Sequence, residues 1–591
     1  MLRHRSTAPL VLANSLKLSG KNWHRYFQSF PIKFLSMPEA YISRNKCQFL
    51  ILAPMGLLGG LLAATALICV AVLALRAAGN RPEPDSVPSS ANLMPHFETA
   101  RGKKILFVDG LPFTVLAVEI PWDQLLYGKY HETLHAYDYL YPAAEAMGLN
   151  ALKVPVKWSV VEPQKGIFDA KSMAEKHHLK LVLNWFGHYA SGNGNIYLNP
   201  TGQLFAPMDI IEDQEQYPRA IDADGVPHHA AISYEYDAVI KREIAAFRAF
   251  MKHIRDVDSQ THTIIMIQVE NEIAVFGADR QNRQLWRDHS PVADKLFAEK
   301  AFTDDLKYSA WRLSGNWLRR VTDAGAEIYP LPFFLNFVGG VIRDWMVGGA
   351  PGEDVATYLE NCPALSFVGL NLYLPPQSSV SDFRTALARY QVNRNLPSIT
   401  ETNSDRGPAA PRLAFIAVGE FSAPIFAPWA LSDSYPVPFQ PYVLPDGSLA
   451  NGANALRDTY TSLRGALPQI SYYAGTENLK VFMSRLPGEK FSETKDVGGA
   501  KVVVSGEDNG QAIVIHRAPN EFILVGYRCD VTLTDDTFRW PRVRKVRVER
   551  GRYVGRDWKN EGDPVSYYSI NTEARSLDVP LMVPQVVRVY W

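Results

Sequence analysis

The chain has 591 residues, 47% hydrophobic and 21% charged, and Lys plus Arg equals Asp plus Glu at 61 each. That length holds a large domain and at least one accessory domain, with the composition of a core-forming globular chain. Balanced charge gives no electrostatic reason for a nucleic-acid partner, and Cys47, Cys69, Cys362 and Cys529 have neither metal-ligand spacing nor the density of a disulfide framework. No metal or other cofactor is indicated.

The first 47 residues carry eight Lys/Arg against one acid, Glu39, and no charged residue follows from Gln48 to Leu75. Such a run is long enough for a helix to cross a bilayer core of roughly 30 Å. The basic flank then puts the N-terminus in the cytosol and the rest of the chain on the extracellular or lumenal side. We read 48–75 as a transmembrane signal anchor, single-pass. The alternative is a signal peptide starting near Met55 and cleaved after Ala77-Ala78-Gly79, which would release a secreted protein. The one Asn-x-Ser/Thr sequon, Asn199-Pro-Thr201, is blocked by its proline. Arg81 to Pro95 is rich in Pro and Ser, so 76–100 reads as an exposed stalk.

Beyond the stalk, apolar runs without helical spacing occur at Lys104–Val118, Ala151–Trp158, Leu179–Phe186, Thr263–Glu272, Ile328–Phe337, Ser366–Leu374, Ser398–Thr402 and Ala423–Trp429. Helical patterns lie between many of them, the clearest at Ala238–Asp256 and Lys307–Ala324. Eight strands alternating with helices predict a (β/α)₈ TIM barrel over 101–435. The second crossover, between Asp169 and Leu179, looks short for one. We take 436–500 as a connecting segment. From 501 to 591 short strands separated by turn residues (Lys501–Ser505, Ala512–His516, Glu521–Tyr527, Val543–Val548, Val586–Trp591) predict a β-sandwich-like domain.

The most informative stretch is Ile264 to Glu272, Ile-Ile-Met-Ile-Gln-Val-Glu-Asn-Glu. A strand buried on both faces ends abruptly in Glu270, Asn271 and Glu272, at the barrel end where active sites are built. Glycoside hydrolysis needs two such carboxylates, one protonated to donate to the leaving oxygen and one ionised. A second strand, Leu396-Pro-Ser-Ile-Thr-Glu401, closes on a lone Glu 129 residues after Glu272. That separation fits three further β/α units, from strand four to strand seven.

Asn271-Glu272 at a strand end resembles the acid/base strand of the retaining glycosidases, in particular glycoside hydrolase families 35 and 42, the β-galactosidases. Further segments are similar: Trp158-Ser-Val-Val-Glu162-Pro163-Gln-Lys-Gly166-Ile-Phe168-Asp169, Leu183-Asn-Trp185-Phe-Gly187, and the hairpin Val108-Asp109-Gly110-Leu-Pro112-Phe113. The likeness runs from Arg101 to Trp591, the β-rich tail resembling the accessory domain of a microbial and fungal branch. It implies Glu272 as acid/base, Glu401 as nucleophile, and Glu119 as an acidic sugar ligand. The continuation Ile120-Pro121-Trp122 departs from the family's His- or Asn-containing pattern. Asn271 joins the substrate-binding set. Trp185, Tyr373 and Trp429 are aromatic candidates for sugar contact, Tyr373 as a donor to the nucleophile and Trp429 as a subsite floor; each reads equally as a packed core aromatic. His177, His178 and His188 lack partner spacing for a metal. The implied activity is an exo-acting β-galactosidase on a carbohydrate substrate. Two other readings use the same residues: an inactive, membrane-tethered glycan-binding barrel, and another β-glycosidase specificity of the clan.

Overall fold

The computed structural model describes residues 87–121, 140–166, 179–187, 205–273, 275, 286–339, 352–375, 378–403, 409–432, 441–444, 446–534 and 546–591. The predicted anchor, the second crossover and the three histidines above lie outside them. Among the described residues no helix is long and apolar enough to cross a membrane.

The chain enters through a small antiparallel sheet, His96–Ala100, Lys103–Val108 and Leu111–Pro112. Asp109 and Gly110 both take positive φ (51° and 76°), which makes the predicted Asp-Gly hairpin a type I′ turn. Leu106 and Val108 pack on Val115, Ala151, Ile265, Phe334 and Phe367. These lie toward the N-terminal ends of the barrel strands, so the hairpin stops that end and leaves the other for chemistry.

The apolar runs form eight parallel strands: β1 (Val115–Leu116), β2 (Ala151–Lys157), β3 (Lys180–Phe186), β4 (Ile264–Val269), β5 (Phe333–Val338), β6 (Leu365–Asn371), β7 (Ser398–Glu401) and β8 (Ile425–Phe426). They are hydrogen-bonded in that order, with β8 beside β1. Closure comes from the continuation of β1, where Ile120 N–H donates to the Lys153 carbonyl (2.9 Å) and Lys153 N–H to Val118 (3.2 Å). The predicted TIM barrel is therefore closed. All six residues of β4 are buried, as expected for a strand covered on both faces.

Helix α1 (Asp237–Asp258) buries Ile240, Glu243, Phe247, Phe250, Met251 and Ile254, spaced three or four apart along one face. At its end the Asp258 carboxylate accepts the N–H groups of Thr263 (3.0 Å) and Ile264 (2.8 Å), which sets the chain's entry into β4. The helix predicted at Lys307–Ala324 is interrupted by a π-helical turn, Leu313–Leu318, where the Ser314 hydroxyl donates to the Ala310 carbonyl.

The C-terminal sheet starts earlier than its apolar signal. Leu479–Met483 and Phe491–Val497 pair with the long strand Ala500–Ala518, so a nine-stranded sheet begins inside the segment read as a connector, which also holds helices Asn451–Arg464 and Leu467–Tyr473. The strand Phe-Ser-Glu-Thr-Lys-Asp-Val is polar along most of its length, which hid it. The domain is one continuous sheet. Strands Ala500–Ala518 and Glu521–Thr534 shift register between Gly506 and Gln511, and residues on either side (Val502, Val504, Val514, Leu524) share one core. The domain docks tightly on the barrel. A Cβ at Gly419, on helix Ala414–Glu420, would lie 2.7 Å from Val481.

Candidate active site

After β4 the backbone turns sharply, and Glu270 and Glu272 both adopt left-handed φ (68° and 50°). Residues with a Cβ enter that region at a cost of roughly 1–2 kcal/mol each. Flanking strands hold the turn. Glu270 N–H donates to the Trp185 carbonyl (2.9 Å), and Glu272 N–H donates to Asn336 Oδ1 on β5 (2.8 Å). Asn271 Oδ1 accepts from Asn336 Nδ2 (2.8 Å) and Gln268 Nε2 (3.2 Å). Alternate carboxylates are thereby committed to different surroundings.

Glu272 meets β6, where Asn371 Nδ2 donates to its Oε1 at 2.8 Å. Asn371 is fixed in turn by Asn336 Nδ2 (2.9 Å) and the Thr400 hydroxyl (2.8 Å), both donating to its Oδ1. Gly369 makes room for this arrangement, since a Cβ there would stand 2.3 Å from Thr400 Cγ2. Asn371 is also the register partner of Glu401. Asn371 thus joins β4 to β7, through its side chain to Glu272 and through Thr400 and the backbone register to the strand of Glu401.

Glu401 accepts the Tyr373 hydroxyl at 2.7 Å, the contact expected of that tyrosine. Burial and the charges of Glu401, Glu272 and Glu119 raise the Tyr373 hydroxyl well above the ordinary range and keep it a donor. Lys153, fully buried on β2, places Nζ 3.6 Å from Glu401 Oε1 and 2.6 Å from Glu119 Oε2. Asn184 Nδ2 reaches Glu119 at 3.4 Å. Burial lifts the Glu119 carboxyl to about 8, with the Lys153 ammonium opposing and the Glu401 charge adding to the rise. Trp429 follows β8, bridged to Glu119 and Asn403, and is 7% exposed at the rim of this group.

Trp185 is a correction. It has no exposed surface, packs on Phe247 and Phe250 of α1, and donates Nε1 to Glu243 (3.1 Å). Strand alternation turns it toward the helical layer, away from any sugar. Its partner belongs to a second carboxyl pair. Glu243 also accepts Trp317 Nε1 (2.7 Å) and is hydrogen-bonded to Glu270, whose Oε1 accepts Gly187 N–H (2.7 Å). Burial pushes the Glu243 carboxyl up to about 7, against those hydrogen bonds.

Sequence reasoning missed Lys153, Asn371, Asn336 and Glu243. A lysine inside the apolar run Ala-Leu-Lys-Val-Pro-Val was a legible signal. Glu243, flanked by Lys241 and Arg242 on a helix, carried none. The motif after β2 has a structural role: Glu162 accepts Trp158 Nε1 (2.8 Å), Gly166 N–H (2.8 Å) and Arg242 Nε (3.3 Å). Among the described residues no His/Cys/Asp/Glu group could hold a metal, and Cys362 and Cys529 are free and buried.

A family model described as a domain of unknown function (DUF5597) matches residues 456–562, from the helix at Asn451–Arg464 into the C-terminal sheet. No curated protein matches the chain. Among solved structures, the chain is similar to an exo-β-1,4-mannosidase, Op5Man5, from an Opitutaceae bacterium (15% identity, TM-score 0.39, 61% of this chain and 61% of that one). It is also similar to a β-galactosidase from Bacillus circulans sp. alkalophilus (11%, 0.41, 61% and 56%) and to endo-glycoceramidase II from a Rhodococcus species (13%, 0.39, 81% and 98%). The chain spans less than two thirds of the length of the first two. Function therefore rests on the residues of the site itself.

Proposed function

We propose that this protein is a retaining glycoside hydrolase, with Glu272 as acid/base and Glu401 as nucleophile. One observation carries the reading: Glu272 and Glu401, at the C-terminal ends of β4 and β7, both bear electrostatically on the buried Tyr373 hydroxyl, which donates to Glu401 Oε2 while the Lys153 ammonium stands 3.6 Å from Oε1. Those contacts suit a carboxylate that attacks the anomeric carbon. Glu272, whose Oε1 accepts the Asn371 amide, suits the group that passes a proton to the leaving oxygen and later takes one from water. Tyr373 keeps the nucleophile aimed, Asn271 and Glu119 supply polar contacts to sugar hydroxyls, and Trp429 supplies an apolar face.

A terminal β-galactoside is the substrate we favour, on the family resemblance of the Asn-Glu strand. Purified protein assayed against nitrophenyl β-galactoside, β-glucoside and β-mannoside tests it. Preference for galactose supports the reading, preference for another sugar moves the specificity within the clan, and activity on none favours the binding-only barrel. We further propose that residues 48–75 anchor the chain with the barrel outside the cytosol, supported by their length and basic flank. Protease added to sealed vesicles should spare a lumenal barrel, and its digestion would reverse the orientation.

A further inference from the structure

Arg412 sits in the short turn Pro411–Leu413 that follows β7, and it is 2% exposed. A buried guanidinium normally faces a carboxylate, because an isolated charge away from water is strongly disfavoured. Arg242, Arg312 and Arg517 each have one. Arg412 does not. Among the described residues its one hydrogen-bond acceptor is the Ser484 carbonyl of the C-terminal domain, which Nη2 reaches. Glu489, a carboxylate whose charge reaches it, is exposed and takes the Leu486 N–H at 3.2 Å. Burial correspondingly pulls the guanidinium down to about 10.

The residue lines a small cleft, open to solvent, whose polar lining includes Ser378, Ser379, Thr402 and Asn403, with Pro487 from the C-terminal domain. Thr402 and Asn403 directly follow Glu401. The cleft therefore adjoins the strand that carries the candidate nucleophile. Among the described residues its walls offer hydroxyls, an amide and one buried cation, with no acidic residue. A neutral ligand would leave the cation uncompensated, whereas an anionic one would complete it. Guanidinium N–H groups match the oxygens of carboxylate and sulfate alike.

We propose that this cleft is a subsite for an acidic sugar unit of the substrate, bearing a uronate carboxylate or a sulfate ester, with Arg412 as its anion-binding residue. Assignment of the anion to a sugar rests on the glycosidase reading, whereas the cleft's affinity for an anion does not. Calorimetric titration of the full-length protein with D-glucuronate, D-galactose 6-sulfate, D-galactose and inorganic sulfate tests the proposal without any turnover. Failure here is thus separable from failure in the glycoside assays.

At least one acidic sugar should bind saturably, and Arg412→Met should weaken that binding at least tenfold while leaving galactose binding unchanged. Ser378→Asp keeps the Arg412–Ser484 hydrogen bond and supplies a carboxylate to the cleft, so it should abolish acidic-sugar binding without lowering the urea midpoint. Equal affinity of wild type and both variants for the acidic sugars would overturn the proposal. So would absence of acidic-sugar binding by the wild type, or binding of inorganic sulfate with neither acidic sugar.

Discussion

Two buried carboxyl pairs lie on opposite sides of the strand-four turn, and they solve the same electrostatic problem differently. Glu119 and Glu401 enclose an ammonium, Lys153, and add a tyrosine hydroxyl. Glu243 and Glu270 meet under neutral donors, two indole N–H groups, the Tyr234 hydroxyl and one backbone N–H. In the first arrangement burial raises Glu119 to about 8 against the opposing ammonium, and that cation also stands beside Glu401 at the mouth of the barrel. The second favours a shared proton, since indole donors do not neutralise two carboxylates. Charge placement, more than apolar packing, distinguishes the reactive side of the turn from its supporting side.

The largest effects should follow from removing the reacting groups. Glu401→Gln or Glu272→Gln should lower kcat/KM on an unactivated glycoside by about a thousandfold or more. Next, Lys153→Met leaves two buried carboxyls without their cation. It should destabilise the fold by about 3–5 kcal/mol in urea titration and also depress kcat. Retention of full stability would mean that the lysine charge does not hold that pair together.

The supporting pair predicts a pH signature instead. Glu243 has its folded value raised from 4.5 to about 7, so the folded state holds a proton that the unfolded chain releases between those values. Its contribution to stability is fully present below pH 4.5, declines as pH rises, and is lost above about 7. At ~1.4 kcal/mol per unit, the change is on the order of 3 kcal/mol. Glu243→Gln should flatten this part of the stability–pH curve, leaving the decline owed to Glu119, which continues to about 8. An unchanged slope would show that no proton is shared.

The smallest effects separate two aromatics that the sequence treats alike. Tyr373→Phe removes the donor on Glu401 and should lower kcat/KM roughly ten- to a hundredfold, with little change in stability. Trp185→Phe should do the reverse, with activity within about twofold and a loss of roughly 1–2 kcal/mol from the unmade Nε1 bond to Glu243. If Trp185→Phe raised KM selectively, a sugar contact would have to be restored to it.

The contrast also marks what the sequence could disclose. The candidates Glu272 and Glu401 stood out because an apolar run that stops at an acid has few structural explanations. Tyr373 followed from its place two residues beyond Asn371 on the neighbouring strand. Trp185 misled because β3 is buried on both faces, so its aromatic could belong to the barrel interior or to the helical layer, and only strand register decides. Lys153 was visible but lacked a partner until closure of β1 on β2 brought Glu119 beside it. Glu243 was invisible, since its meaning depends on a helix docking over Gly187, where a Cβ would come within 2.2 Å of its carboxylate. The strand at Phe491–Val497 escaped for a related reason: a polar strand is recognised by the strand it pairs with.

The central claim is the division of labour between Glu401 and Glu272, and azide rescue addresses it directly. Glu401→Gly removes the nucleophile, so added azide should enter the vacated space and restore turnover of an activated aryl glycoside, giving a glycosyl azide of inverted configuration. Glu272→Ala retains the nucleophile, and its azide product should keep the substrate's configuration, because two displacements still occur. The account predicts inversion in the first variant and retention in the second. The opposite pair of configurations would exchange the two roles, and undiminished activity without azide in both variants would place the catalytic carboxylates elsewhere.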